Sequence, residues 1–184
     1  MRLRSHARNA FVTGNIAGAL SMATALLCAR RQRWRPMAAA NAVGHIWTGR
    51  HPALHAIAPT RRNAVIGLLL HQGASVFWAG FFEPLFGNRA ERSTSAALAG
   101  GASVAAGAYI TDYHIVAPRF RPGFEVSLPP PAIFLVYSAL AAAFAASARL
   151  RGLRNHQVED ADERDESRHA ERRPDAVVSS VERR

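Results

Sequence analysis

Long apolar runs alternate with short arginine-bearing segments over the first 148 residues of the chain. A bilayer hydrocarbon core of about 30 Å is crossed by about 20 helical residues that rise about 1.5 Å each. Four runs come close to that length or exceed it, and arginines flank each of them: residues 11–29, 64–86, 95–116 and 131–148. The pattern predicts an all-α, polytopic membrane bundle of four transmembrane helices. The alanine- and glycine-rich third span is expected to insert with help from its neighbours.

Two other structures also contain such apolar runs. A soluble bundle needs amphipathic helices on its outside, and four uniformly apolar helices in 148 residues leave no such layer. A cleaved signal peptide begins, like this chain, with basic residues and an apolar stretch, but no small-residue cleavage site precedes Arg30 and Arg31. We therefore expect residues 11–29 to remain as the first span.

A shorter apolar stretch, residues 37–48 (MAAANAVGHIWT), lies within the arginine-rich segment between the first two spans. Twelve helical residues rise only about 18 Å, which is too short to cross a bilayer. The stretch is predicted to be an interfacial or re-entrant helix with Trp47 at the headgroup level, or a helix that caps the bundle.

The net charge of +10, with 23 arginines and no lysine, belongs to the membrane part of the chain. Residues 1–148 hold 14 arginines and four acidic residues, whereas residues 149–184 hold nine of each. Because the arginines flank spans and do not line one soluble face, they argue against a nucleic-acid binder. The tail from residue 149 is too polar to form a core, so we expect it to be disordered; a solvated charged helix with i,i+4 pairs is the alternative.

Arginine counts leave the orientation open, because eight fall on the side of the two termini and nine on the other side. A long charged tail is retained in the cytoplasm more readily than it is exported, which favours cytoplasmic termini. The absence of lysine fits a GC-rich bacterial genome and needs no functional reason.

Small residues at intervals of four allow transmembrane helices to approach closely. Gly14 and Gly18 form this pattern in the first span, and Gly101 and Gly107 belong to two such faces of the third span. These glycines predict packing within the bundle or, alternatively, contacts between copies of the chain.

Polar and ionisable side chains inside spans are costly and usually face protein or water, so each is a candidate functional residue. The candidates are Asn15, His71, Gln72, Glu83, Asp112 and His114. His71 and Asp112 lie at similar depths on antiparallel neighbouring spans. The two are expected to meet, as interhelical glue or as a proton relay or substrate contact, or else to make no contact. Glu83 is expected to mark the exit of its span and reach water, and Asn15 and Gln72 to form interhelical hydrogen bonds.

Histidines gather on the side of the loop between the first two spans. His51 and His55 have i,i+4 spacing and follow His45, which makes these three weak candidates for a transition-metal site. Pro52 inside the pair favours a turn or a helix start instead. The single cysteine, Cys28, excludes an internal disulfide and a cysteine-based metal cage, and no cofactor is predicted.

Motifs of the common enzyme classes are absent from the sequence. No nucleophile elbow, phosphate-binding loop, zinc-protease motif or dinucleotide-binding motif occurs in it. Ser21 and Ser75 have no base partner that the sequence marks. The sequence therefore favours a protein that is not an enzyme.

Several short stretches carry a resemblance to other proteins: GNIAGALS at residues 14–21, NAVGHIW at 41–47, HQGASVFW at 71–78, and DY at 112–113 followed by PRFRPGFE at 118–125. In these stretches, residues 1–148 resemble a group of small bacterial inner-membrane proteins with four spans and no known activity. The resemblance implies a membrane location and leaves the activity open.

Three functions are compatible with these features. A non-enzymatic membrane component or partner of a larger complex needs only the packing residues. A small proton-coupled transporter or channel would use His71 and Asp112 and would need to form an oligomer. A membrane-bound metal or haem protein, or an enzyme, would use the histidine-rich face. The expected partners are the lipid bilayer and, beyond it, other copies of the chain or other membrane proteins.

Overall fold

The computed structural model describes residues 2–49 and 51–172, and within them the chain is helical without a β-strand. Eight α-helices follow one another in this part: α1 Arg2–Arg31, α2 Ala38–Val43, α3 His45–Thr48, α4 Pro52–Ile57, α5 Arg61–Phe82, α6 Asn88–Arg92, α7 Thr94–Ile110 and α8 Pro130–Arg172. Two π-helical turns extend α5 and α7, and two 3-10 turns precede α8: Glu83–Gly87, Thr111–Ile115, Pro118–Phe120 and Phe124–Val126. The predicted all-α class is confirmed.

Three helices are long and apolar enough to cross a membrane: Ser5–Arg31, Arg61–Arg92 and Pro130–Arg168. They contain the predicted first, second and fourth spans. The third predicted span corresponds to α7, whose 17 residues rise only about 25 Å before the π-helical turn begins. Membrane-length helices are therefore confirmed at three positions, and the crossing by α7 stays a prediction.

The bundle has small residues inside and large apolar residues outside. Alanines form much of the buried core, whereas Leu69 is 67% exposed and Phe134 is 71% exposed. Water disfavours an apolar surface of this extent, and lipid does not. The surface and the helix lengths together mark the chain as a membrane protein.

The first and fifth helices approach each other closely along the predicted small-residue face of α1. Gly14 and Gly18 lie so near to Val76 and Gln72 of α5 that a methyl group at either glycine would overlap them. α1 also packs against α8. The Gly14–Gly18 face is therefore used within the chain.

The seventh helix packs against α8, running from the end of the bundle near Glu91 to the end near Tyr137. Gly101 meets the backbone carbonyl of Ala141 on α8, with no room for a methyl group. Gly107 makes no comparable approach, because an added Cβ would lie 4.0 Å from the nearest atom, in the Trp78 indole. α7 and α8 therefore run in opposite directions, and together with α1 and α5 they are the four long helices of the bundle.

Side-chain caps and a proline set where three of the long helices begin. Thr60 Oγ1 accepts a hydrogen bond from the Asn63 N–H at 3.2 Å, and Ser93 Oγ accepts one from Ala96 at 3.4 Å. α8 begins at Pro130, where the missing N–H has no helical partner to lose.

The apolar stretch 37–48 forms the two short helices α2 and α3, with Gly44 between them. All of α2 is buried, and it packs on α5 where Gly67 meets the Ala40 carbonyl. Trp47 in α3 is 71% exposed. The stretch thus caps one end of the bundle, a re-entrant helix is not shown, and the depth of Trp47 in a bilayer stays a prediction.

The last helix continues well beyond its apolar part. A disordered tail from residue 149 is predicted, and this is wrong for residues 149–172, which continue α8. Most of residues 149–168 are exposed. A helix that is already nucleated grows at little cost, and arginine, glutamate and alanine favour growth. The charged-helix alternative describes these residues, and the rest of the predicted tail, 173–184, lies outside the described residues.

Candidate functional site

A cavity of about 110 Å³ lies inside the bundle among α1, α5, α7 and α8. Its lining is mainly apolar, with the polar exceptions Ser21, His71, Ser75, Asp112 and Tyr137. Ala74 and Phe120 also line it and are exposed, so the cavity reaches the surface of the bundle. Apolar cavities of about 150 Å³ hold molecules the size of benzene. This cavity is smaller but open at the surface, so it suits one small molecule that lies partly in the opening.

His71 forms one polar part of the cavity lining, and its ring is held by a hydrogen bond to α1. Its Nε2 lies 2.9 Å from Ser21 Oγ on α1, and the Ser75 hydroxyl donates to the His71 backbone carbonyl at 2.8 Å. The Ser21 hydroxyl also donates to the Ala17 carbonyl at 2.8 Å. A hydroxyl has one hydrogen, so in that arrangement Nε2 donates to Ser21, and Nδ1 of the neutral ring is the acceptor.

The pairing of Ser21 with His71 places an imidazole beside the serine that the sequence did not mark, but Nε2 donates in this arrangement and does not act as a base toward the hydroxyl. A serine nucleophile also requires hydrogen-bond donors aimed at an oxyanion. Ser21 and His71 both lie inside helices, where backbone N–H groups are already bonded to helical carbonyls. The pair is therefore suited to hydrogen bonding within the cavity and lacks the surroundings for acyl transfer.

Asp112 forms a second polar part of the cavity lining, in the π-helical turn that follows α7. Tyr137 of α8 donates its hydroxyl to Asp112 Oδ2 at 2.6 Å. π-helical turns often occur at functional sites because they displace one residue from the helical register. Here the turn brings a carboxylate to the cavity and to α8.

His71 and Asp112 line the same cavity but do not pair with each other. The similar depths that the sequence predicts for the two residues are consistent with this placement. Instead of contacting each other, His71 bonds to Ser21 and Asp112 bonds to Tyr137. The depths of the second and third spans could not reveal these partners, because Ser21 lies on α1 and Tyr137 lies on α8. The cavity lining thus has two polar parts.

Three tyrosines surround the Asp112 part of the lining. The Tyr109 ring lies 5.2 Å from Tyr113 and 5.4 Å from Tyr137, centroid to centroid. The Tyr113 hydroxyl is buried without a hydrogen-bond partner in the described residues. His114 is exposed and contacts Tyr109 edge-on at 5.7 Å, so this candidate lies outside the cavity.

Asn15 and Gln72 join α1 to α5 near the cavity. Gln72 Nε2 donates to Asn15 Oδ1 at 3.1 Å and to the Asn15 carbonyl at 3.2 Å. Neither residue lines the cavity. These two residues therefore join α1 to α5 by hydrogen bonds, as predicted.

Glu83 is buried, and the expectation that it reaches water is wrong. Its side chain is 1% exposed, and Arg151 Nη2 lies 2.7 Å from Oε2. The Thr13 hydroxyl donates to Oε1 at 2.7 Å. The π-helical turn that begins at Glu83 turns this carboxylate into the protein, where the arginine neutralises it.

Arg151 connects four segments of the chain at this end of the bundle. Besides Glu83, it donates to Thr13 Oγ1 at 2.8 Å and to Glu91 Oε1 at 3.1 Å. Arg149 donates to the Glu91 backbone carbonyl. In the sequence, Arg151 is only one of the arginines that flank the last span. The signal for this ion pair is Glu83, because a lone acid inside an apolar run needs a cation.

The three histidines proposed as weak metal candidates form hydrogen bonds. His45 Nδ1 lies 2.6 Å from the Ala42 carbonyl, and His51 Nδ1 accepts from the Ala53 N–H at 3.3 Å. His55 bonds to Thr48 and Asn63. In residues 2–49 and 51–172, no group of three or more histidine, cysteine or acidic side chains is arranged to hold a metal ion.

Glu83 and Asp112, the two acids inside the apolar runs, differ in the groups that contact their carboxyl oxygens. Glu83 has the Arg151 guanidinium, whereas Asp112 has a tyrosine hydroxyl and no basic side chain within ion-pair distance in the described residues. Asp112 and the cavity beside it therefore make up the candidate site. Comparisons with protein-family models, with curated proteins and with solved structures find no match to this chain.

Proposed function

We propose that the protein is a non-enzymatic integral membrane component that binds a small organic amine in the cavity between its helices. The amine's cationic nitrogen lies at Asp112, and its apolar part fills the rest of the space. The observation that carries the proposal is that the Asp112 carboxyl group lines a mainly apolar cavity with no basic side chain within ion-pair distance in the described residues.

Electrostatics favours a cationic ligand at this position. A carboxylate in apolar surroundings requires a proton or a cation, because desolvation of an unpaired charge is costly. Tyr137 supplies one hydrogen bond to Oδ2 and no charge. An ammonium group supplies both, as Arg151 does for Glu83.

The shape of the cavity favours a compact molecule that enters from the membrane. Ala74 lies ten residues into the second predicted span and is exposed where it lines the cavity. A ligand that enters there passes through lipid, which selects for a small amphiphile.

A matched pair of probes tests the proposal. Benzylamine and benzyl alcohol have the same ring and nearly the same shape, and only the amine is a cation at neutral pH. We expect benzylamine to raise the melting temperature of the purified full chain in detergent, and benzyl alcohol at the same concentration to have little effect. Asp112→Asn keeps an oxygen for Tyr137 and should abolish the response to the amine.

Glu163→Gln is the control variant, because it removes an exposed carboxylate on the charged extension of α8 that does not line the cavity. It should respond to benzylamine like the unmodified chain. Equal stabilisation by amine and alcohol, or an amine response that survives in Asp112→Asn, would overturn the proposal.

A second candidate is a small proton-coupled transporter. It is favoured by the placement of His71 and Asp112, both protonatable, in the lining of one cavity that reaches the surface. Such a protein would acidify or alkalise the lumen of reconstituted vesicles when the amine is added outside. Loss of that flux in His71→Gln with amine binding retained would separate transport from binding alone, because Asp112→Asn is expected to lose both.

The proposed setting is the bacterial inner membrane, with four spans, both termini in the cytoplasm and other membrane proteins or further copies as partners. The lysine-free composition, the charged extension of α8 and the resemblance to small four-span bacterial membrane proteins support this setting. Reporter fusions at the C-terminus and in the loop near residue 60 test it, and reporters active on the same side would overturn it.

A further inference from the structure

A second recess lies at the end of the bundle where α2, α3 and α4 form the cap. It encloses about 440 Å³ and is lined by Trp47, Thr48, His55, Arg62 and Asn63. This volume falls within the range of ligand sites in proteins. None of these residues lines the cavity beside Asp112, so the recess is a separate feature.

The floor of the recess is fixed by a buried histidine. His55 Nε2 lies 2.7 Å from Thr48 Oγ1, and its Nδ1 lies 2.7 Å from Asn63 Nδ2. An amide nitrogen can only donate, so Nδ1 is the acceptor, and the neutral ring carries its hydrogen on Nε2. His55 thereby ties α3 and α5 together and holds Thr48 and Asn63 in place.

The groups that face a ligand here are mainly hydrogen-bond donors. The indole N–H of Trp47 and the guanidinium of Arg62 have no partner in the described part of the chain, and neither group can accept a hydrogen bond. The Asn63 amide keeps its second N–H. A donor-rich recess is complementary to an anion with several acceptor oxygens.

A second guanidinium lies close to the residues that line the recess. Arg119 Nη2 lies 3.7 Å from the position of a Cβ at Gly49, next to Thr48. The described arginines at this end of the bundle are Arg30, Arg31, Arg33, Arg35, Arg61, Arg62, Arg119 and Arg121, and none forms an ion pair within the described residues. Glu125 is the exposed acid at this end, so the field at the recess favours an anion.

We propose that this recess binds the phosphate headgroup of an anionic phospholipid. The arginines and the Asn63 amide contact the phosphate oxygens, and the exposed Trp47 indole lies beside the glycerol at the membrane interface. Membrane-length helices place this end of α1, α5 and α8 at a lipid–water boundary, where tryptophan is favoured and phosphate groups are abundant.

Lipid titration followed by native mass spectrometry tests the site. The full chain, purified in uncharged detergent, is titrated with phosphatidylglycerol and, in parallel, with phosphatidylcholine of the same acyl chains. We expect tighter binding of phosphatidylglycerol, and about fivefold weaker binding in Arg62→Gln and in Arg119→Gln. Both side chains are exposed, so the variants should fold.

Arg89→Gln is the matched control, since Arg89 is an exposed arginine at the opposite end of the bundle. It should bind phosphatidylglycerol as tightly as the unmodified chain. A soluble headgroup, glycerol 3-phosphate, should bind about tenfold more weakly or worse, because it lacks acyl chains. The proposal is overturned by an equal loss in Arg89→Gln, by equal affinity for the two lipids, or by glycerol 3-phosphate that binds as well as the lipid.

Discussion

Arg151 donates from Nη2 to both carboxylate oxygens of Glu83, at 2.9 and 2.7 Å, across the boundary between α8 and the turn after α5. Glu83 is 1% exposed and Arg151 is 21% exposed, so water screens this pair only from the arginine side. The same guanidinium holds Thr13 of α1. The end of the bundle near the N-terminus is therefore joined by charge, whereas the opposite end is capped by short helices.

Removal of the cation should destabilise the chain strongly. Arg151→Met leaves Glu83 buried without a counter-charge, and loss of one partner of a buried pair costs about 3–5 kcal/mol in free energy of unfolding. The double variant Arg151→Met with Glu83→Leu removes both charges and should lose less than Arg151→Met alone. Unfolding in mixed micelles, followed by circular dichroism, measures these free energies.

Arg154→Met is the control for that cycle, because Arg154 is exposed on the next turn of the same helix. Its effect should stay within about 0.5 kcal/mol. If Arg151→Met is no worse than Arg154→Met, the pair with Glu83 does not hold the bundle together.

Helix positions could be predicted from the sequence because membrane insertion depends on local hydropathy and length. Three of the four predicted spans coincide with membrane-length helices. The partners of the polar residues could not be predicted, since they depend on which helices become neighbours. Asp112 takes its hydrogen bond from Tyr137, 25 residues away, and Glu83 takes its cation from Arg151, 68 residues away.

Local composition also gave a wrong prediction for the residues that extend α8 beyond its apolar part. Residues 149–172 are too charged to form a core, and the sequence therefore predicted disorder. In the chain they follow an apolar helix without a break, so helix propensity decides their structure. The cavity could not be predicted either, since it arises from the packing of four long helices and the cap.

The hydroxyl of Tyr137 should contribute measurably to stability, and that of Tyr113 should not. Tyr137→Phe removes the donor to Asp112, and loss of a hydrogen bond to an ionisable group costs about 1–3 kcal/mol. The Tyr113 hydroxyl is buried without a partner in the described residues, so Tyr113→Phe should be neutral or slightly stabilising. Equal effects of the two substitutions in the same unfolding assay would rule out the Tyr137–Asp112 bond.

The close approach of α1 to α5 makes a specific prediction about two glycines. A methyl group at Gly14 would overlap the backbone of Val76, so Gly14→Ala should lower the free energy of unfolding by about 1–3 kcal/mol through overpacking. A Cβ at Gly80 of α5 meets nothing within 4 Å, and Gly80→Ala should be neutral or stabilising because alanine favours a helix by about 1 kcal/mol. Thermal unfolding in detergent measures the contact between α1 and α5 within one chain. Light scattering measures the oligomeric mass and so detects a contact between copies of the chain. If Gly14→Ala changes the oligomeric mass and leaves the unfolding temperature unchanged, the glycine face serves an interface between copies and not the contact with α5.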